Sequence, residues 1–302
     1  MQFEGIYPPV MTPFNSDLTV DWDGFARLLD FLIEQGVHGL ILGGTTGEFY
    51  AMTREERIEQ FKRGKEIIAG RLPMIAGVNA LNAAECPDYA RAARDAGADA
   101  LLVAAPPYSQ PTQEELAAHC LKIEAASGLP IMLYNYPGRV GMEMEEAFLD
   151  LVADHKNIVA IKEASGDINR VHLLANNYPN LQLSIGAEDQ ALEFFAWGAR
   201  SWVSPIPNFL PMPVVKLYEA CALERDFQKG RRLMETLMPI TTILERSGKY
   251  LQSIKAAARF FDLPAGPVRP PLQDLEDEKA LADLHQVLDT AQKSAAEVIG
   301  AR

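Results

Sequence analysis

The sequence predicts an α/β fold, a (β/α)8 TIM barrel with a C-terminal helical extension, and three observations carry that prediction. Short β-branched apolar runs alternate with amphipathic helical stretches from the first residues onward, and eight such runs can be marked. Glycine recurs between a helix and the next strand, in Gln35-Gly36-Val37-His38-Gly39, Asp95-Ala96-Gly97-Ala98-Asp99 and Ala196-Trp197-Gly198-Ala199-Arg200. The alternative is a doubly wound open sheet, but the first strand is followed by Tyr7-Pro8-Pro9-Val10-Met11-Thr12-Pro13 and not by Gly-x-Gly-x-x-Gly.

The strands expected in order are Ile6 to Val10, Gly39 to Leu42, Met74 to Val78, Ala100 to Ala104, Ile131 to Tyr134, Ile158 to Lys162, Leu181 to Ile185 and Ser201 to Val203. Their spacing leaves room for a crossover helix each time, as parallel neighbours require. Helical patterns include Trp22 to Gln35, Arg54 to Ala69 and Ala83 to Ala96, the last stopped by Gly97 at a C′ position. After the eighth strand only helices are expected: Pro213 to Ala222, Asp226 to Arg246, Lys249 to Phe261 and, past the proline-rich Leu263 to Pro271, Glu276 to Val298. This divides the chain into a catalytic barrel over residues 1–224 and a helical region over residues 225–302, read as a small appendage packed on the barrel.

Composition narrows the function. A net charge of −13 and a pI near 4.9, with no Lys/Arg-rich stripe, argue against nucleic acid as a partner. Cys86, Cys120 and Cys221 form no C-x-x-C pair, which suits a reducing compartment and a cytoplasmic protein. His38, His119, His155, His172 and His285 show no metal-binding spacing, so no metal is expected. The N-terminus lacks a basic region followed by an apolar stretch, and no segment is long enough to span a bilayer, so neither a signal peptide nor a membrane is expected.

One lysine stands out. Lys162 ends the apolar run Asn157-Ile158-Val159-Ala160-Ile161, just before a turn containing Gly166. Burial there disfavours the ammonium form, and a neutral amine can attack a ketone to form a Schiff base. The other reading is a lysine that snorkels out or pairs with Glu163. Strand neighbours point to opposite faces, so Lys162 and Glu163 do not share a side.

In such a barrel the reacting groups lie in the loops at the C-terminal strand ends. After the second strand, Gly43-Gly44-Thr45-Thr46-Gly47-Glu48 offers close backbone approach and two hydroxyls, an anion pocket fit for a carboxylate; the alternative is a turn with Thr46 as a helix cap. The fourth strand leads to Pro106-Pro107-Tyr108 and the fifth to Tyr134-Asn135-Tyr136-Pro137-Gly138-Arg139. Phenols can shuttle protons, although loop tyrosines are commonly packing residues. Arg139 is either a solvated loop residue or a fork that clamps a carboxylate. The loops after the seventh and eighth strands, Gly186-Ala187-Glu188-Asp189 and Ser204-Pro205-Ile206-Pro207, are acidic and then proline-rich, which disfavours a phosphorylated ligand.

Together these motifs resemble the dihydrodipicolinate synthase and N-acetylneuraminate lyase family of Schiff-base-forming class I aldolases, over Gly5 to about Pro270. The resemblance implies a homotetramer built from tight dimers, acting on pyruvate through a lysine imine without other cofactor. It makes Lys162 the imine-forming residue, Tyr134 the proton-transfer tyrosine, and Thr45 and Thr46 part of the pyruvate carboxylate pocket. Tyr108 corresponds to a tyrosine that reaches across the dimer interface to complete a Tyr-Thr-Tyr relay, and Gly44, Gly186 and Val203 fall at pocket positions.

The resemblance also ranks the reactions. Arg139 is synthase-like, binding the carboxylate of an aldehyde partner, whereas Val140 stands where synthases usually have threonine. Phe49, Tyr50, Arg54, Arg57, Leu81 and Pro107 replace the residues of the family's lysine-inhibition pocket, of which only Glu85 is kept, so that effector site is expected to be absent. A 4-hydroxy-tetrahydrodipicolinate synthase-type condensation leads. A catabolic 2-keto-3-deoxy sugar-acid aldolase or dehydratase is the alternative, and a catalytically retired binding protein on this scaffold is the alternative of a different class.

Overall fold

A computed structural model of the chain describes residues 1–300. Strands Gly5–Ile6 (β1), Leu40–Leu42 (β2), Met74–Gly77 (β3), Ala100–Ala104 (β4), Ile131–Asn135 (β5), Ile158–Glu163 (β6), Gln182–Ile185 (β7) and Ser201–Trp202 (β8) form one parallel sheet. Its order runs β1-β8-β7-β6-β5-β4-β3-β2. The ends meet where Val10 N–H donates to Ile41 O at 2.9 Å and Ile41 N–H to Pro8 O at 3.0 Å, closing the barrel.

The first strand is shorter than its apolar run predicts. Pro8 and Pro9 have no N–H and cannot continue a ladder. Pairing with β8 therefore stops at Ile6, and Pro9 contributes only an isolated bridge to Ile41. Elsewhere the expected strands are found with no end moved by more than one residue.

Alternation along the strands sorts two cores. Ile41, Ile75, Leu102, Met132, Tyr134, Ala160 and Val203 fill the barrel, while Leu40, Leu42, Leu101, Leu133, Ile161 and Trp202 pack outward against the helices. Those helices are Trp22–Glu34 (α1), Arg54–Ile68 (α2), Cys86–Asp95 (α3), Gln113–Ser127 (α4), Pro137–Val140 (α5), Glu146–Val152 (α6), Ile168–Asn177 (α7), Ala191–Ala196 (α8) and Pro211–Tyr218 (α9). Full capping boxes start two of them, Thr53 with Glu56 at α2 and Thr112 with Glu115 at α4, each worth about 1 kcal/mol. The helix expected from Ala83 begins as a 3-10 turn over Ala83–Glu85, with Pro87 inside the first turn of α3.

Helices Phe227–Arg246 (α10), Tyr250–Phe260 (α11) and Glu278–Gly300 (α12) follow. Their buried faces, Leu233, Leu237, Ile240, Ile254, Leu284 and Leu288 among them, belong to the same apolar cluster as the outer barrel core. This segment also reaches the barrel's cavity: α10 and α11 place Glu245 and Tyr250 at the open end of the barrel, where they line it.

Candidate active site

Parity decides what faces the barrel's mouth. Along β6 and just past its end, Ala160, Lys162 and Ala164 point inward while Ile161 and Glu163 point outward. Tyr134 on β5 lies beside Lys162 in register. The lysine nitrogen sits 3.9 Å from the centre of the Tyr134 ring.

Lys162 is 7% exposed and makes no ion pair or hydrogen bond among the described residues. Burial pushes its pKa down to about 8, and the carboxylates of Glu188 and Glu245 limit the fall. Burial pushes the Tyr134 phenol well above its usual range, so this hydroxyl is protonated at neutral pH. The pair thus combines an amine that is partly neutral near pH 7 with a retained phenolic proton.

The cavity above them measures about 200 Å³. That is the share of about seven water molecules at roughly 30 Å³ each, room for a small oxo acid. Gly44, Thr45, Thr46, Tyr134, Arg139, Lys162, Gly186 and Val203, all singled out from the sequence, line this cavity. Tyr108 does not. It is 92% exposed, with φ 74°, in the loop after β4.

Each wall has a local reason. Thr45–Gly47 form a 3-10 turn preceded by Gly44 with no side-chain cap, so Thr46 is not a helix cap. Its Oγ1 lies 3.1 Å from the Tyr250 hydroxyl, and Thr45 and Thr46 both line the cavity. Gly186 has no room for a side chain: a Cβ there would meet Glu163 O at 2.6 Å and Lys162 Cγ at 2.9 Å. Arg139 lies in α5, which Gly141 ends at φ 79°. Its guanidinium carbon is 5.4 Å from the Tyr136 ring centre and 5.0 Å from that of Tyr250, stacking that holds the fork across the mouth.

Glu188, Glu245, Tyr136 and Tyr250 are among the cavity residues that the sequence reading did not single out. Glu188 was visible only as an acidic loop. It is buried, accepts from Ser204 Oγ at 2.7 Å and Trp202 Nε1 at 3.2 Å, and burial raises its pKa to about 8. No side-chain group of three or more His, Cys, Asp or Glu suited to a metal ion occurs among the described residues. No helix among them is long and apolar enough to cross a membrane.

The sequence profile of the dihydrodipicolinate synthetase family matches residues 2–291. The chain belongs to that family. It is 34% identical over 277 residues to the 4-hydroxy-tetrahydrodipicolinate synthase of Methanocaldococcus jannaschii, covering 91% of this chain and 94% of the relative. Among solved structures, the 4-hydroxy-tetrahydrodipicolinate synthase of Methylacidiphilum fumariolicum superposes with a TM-score of 0.92 at 32% identity, covering 99% of both chains. YagE of E. coli, a prophage protein of the same family solved in complex with pyruvate, superposes with a TM-score of 0.90 at 29% identity, covering 97% of this chain and 99% of its own.

Proposed function

We propose that this family member is a Schiff-base-forming, pyruvate-dependent lyase of the 4-hydroxy-tetrahydrodipicolinate synthase type, joining pyruvate to an aldehyde that bears a carboxylate. The observation that carries this reading is the unpartnered, buried Lys162 amine facing Tyr134 in a cavity that also holds the Thr45-Thr46 turn and Arg139. Relatives named for the synthase reaction, and a family structure with pyruvate bound, support it.

The steps follow from the groups present. The turn at Thr45 and Thr46 receives the pyruvate carboxylate through its N–H groups and hydroxyls. Lys162 adds through its lone pair to the keto carbon, and the resulting carbinolamine loses water, with Tyr134 supplying the proton that hydroxide takes away. The imine draws electrons from C3, whose proton passes to the Tyr134 phenolate left by that step, giving an enamine. The enamine carbon attacks the aldehyde carbon, a C–C bond forms as the carbonyl π bond opens, and the aldehyde oxygen takes the proton back from Tyr134. Hydrolysis of the imine then frees Lys162. Arg139 holds the carboxylate of the aldehyde partner. The imine is the electron sink, so the chemistry calls for no metal or organic cofactor.

Tyr108 completes the relay with Thr45 and Tyr134 from a second copy. Its exposure supports this, as does a cleft of about 430 Å³ lined by Thr45, Tyr134, Arg139 and Pro107 beside the main cavity. The working assembly is a homotetramer of tight dimers in the cytoplasm.

A second reading, a 2-keto-3-deoxy sugar-acid aldolase or dehydratase, is favoured by the Glu188 and Glu245 carboxyls, which can accept hydrogen bonds from substrate hydroxyls. Borohydride with pyruvate should leave a reduced adduct on Lys162, read by peptide mass spectrometry; an unmodified, active protein defeats both readings. Turnover of pyruvate with aspartate semialdehyde, set beside a panel of 2-keto-3-deoxy acids, separates them, and no turnover of the semialdehyde removes the first.

A further inference from the structure

The residues that follow Tyr134 and Lys162 face away from the cavity, and the register pairs Asn135 with Glu163 just as it pairs Tyr134 with Lys162. Behind the sheet the Glu163 carboxylate, 1% exposed, accepts from Asn135 Nδ2 at 2.9 Å, Arg170 Nε at 3.0 Å and Ser165 N–H at 2.7 Å. Arg170, on α7 and also buried, donates from a second nitrogen to Met144 O at 2.7 Å, and Met144 N–H donates to Asn135 Oδ1 at 3.0 Å. Glu143 lies 3.3 Å from Arg170 Nε at the edge of this cluster.

The bonds close a ring through Glu163, Asn135, Met144 and Arg170. Three of its members belong to segments with a candidate functional neighbour, and Arg170 on α7 joins them. Asn135 follows Tyr134, Glu163 follows Lys162, and Met144 ends the loop that carries Arg139. Ser165, the third donor, opens the loop after β6 and lines the cavity.

Stability alone is a poor account of this cluster. A buried ion pair loses in desolvation much of what it gains in attraction, and well-packed apolar side chains can hold a barrel wall as firmly. What apolar contacts lack is direction. Hydrogen bonds to a carboxylate set both distance and angle between segments.

We infer that Glu163, Arg170 and Asn135 form a positioning clamp that sets the separation of Lys162 and Tyr134 and ties the Arg139 loop to both. The imine end and the second-substrate end of the cavity are then held by one carboxylate. This rests on the roles proposed above for Lys162, Tyr134 and Arg139.

The test uses full-length Glu163→Gln and Arg170→Lys, each checked by circular dichroism for a native fold at the assay temperature. For Glu163→Gln the clamp predicts a kcat lower by about 10- to 100-fold, the cost of a misplacement near 1 Å, with the pyruvate KM within about 3-fold of wild type. Arg170→Lys keeps the charge but loses the bond to Met144, so it should raise the KM of the second substrate more than that of pyruvate. Should Glu163→Gln not fold, Arg170→Lys decides alone. A folded variant with wild-type kinetics overturns the inference, and so does a loss of kcat matched by equal losses of pyruvate binding and of folded protein. Borohydride trapping keeps the two layers apart: failure to trap pyruvate on wild-type Lys162 defeats the function proposed above, whereas trapping on wild type with indifferent variants defeats only the clamp.

Discussion

Among the described residues two lysines are buried, one at the mouth of the barrel and one in the helical tail. Lys162 is open to the cavity and has no partner, whereas Lys255, on α11 and 0% exposed, lies 2.6 Å from Glu48 Oε1 and donates to Pro267 O at 2.7 Å. Burial pushes both amines down to about pH 8. A lowered pKa therefore does not by itself single out the proposed nucleophile. What separates the two is partnership: Lys255 Nζ donates to a carboxylate and a carbonyl, which favours its ammonium form, while Lys162 Nζ has only a cavity and a phenol before it.

The tail lysine has its own place in the site. Glu48 directly follows the Thr45–Gly47 turn, in a left-handed conformation at φ 58°, and its other oxygen accepts from Arg269 N–H at 2.9 Å. With the contact of Tyr250 to Thr46, this anchors the proposed carboxylate turn to α11 at two points.

The contrast can be broken most sharply at Lys255. Lys255→Met leaves the Glu48 carboxylate buried without its counter-charge and should cost about 3–5 kcal/mol in denaturant unfolding, yet the folded fraction should still trap pyruvate on Lys162. An adduct that moved or vanished in folded protein would show that the two lysines do not divide the work as described.

The pH dependence is the next largest effect. With a Lys162 pKa of about 8, the neutral amine grows by about tenfold per pH unit below that value and levels off above it. Single-turnover imine formation should follow the same course. Glu188 raises the pKa of Lys162 when ionised, so Glu188→Gln should move the upper part of the rise to lower pH; a shift to higher pH contradicts the assigned electrostatics.

The smallest effect is expected at Tyr250→Phe, which removes one hydrogen bond to Thr46. At about 0.5–1.5 kcal/mol for such a bond, the pyruvate KM should rise about 2- to 10-fold with trapping still at Lys162. An unchanged KM would mean that the turn is held by Glu48 and Lys255 alone.

Much of this was legible in the residues because strands and strand-end loops carry local signals. β-Branched runs flanked by glycine and proline mark where the ladder starts and stops, and Lys162 was conspicuous because it ends such a run. Glu245 and Tyr250 had no comparable mark. They sit at a helix end and a helix start, in the stretch Glu245-Arg246-Ser247-Gly248-Lys249-Tyr250, where an acid and an aromatic are ordinary. Lys255 lies among alanines on an amphipathic helix, and only Glu48, more than 200 residues earlier, explains it.

By itself, then, the sequence determined the order of the eight strands, the inward face of β6 and the motifs gathered at the strand ends, since alternation and turn chemistry act between near neighbours in the chain. Which buried lysine is left without a partner, which side chains of the tail close the cavity, and how Glu163 joins Lys162 to the Arg139 loop were decided only by the tertiary structure. Desolvation and ion pairing depend on what lies within a few ångströms in space, and for those residues the neighbours come from distant parts of the chain.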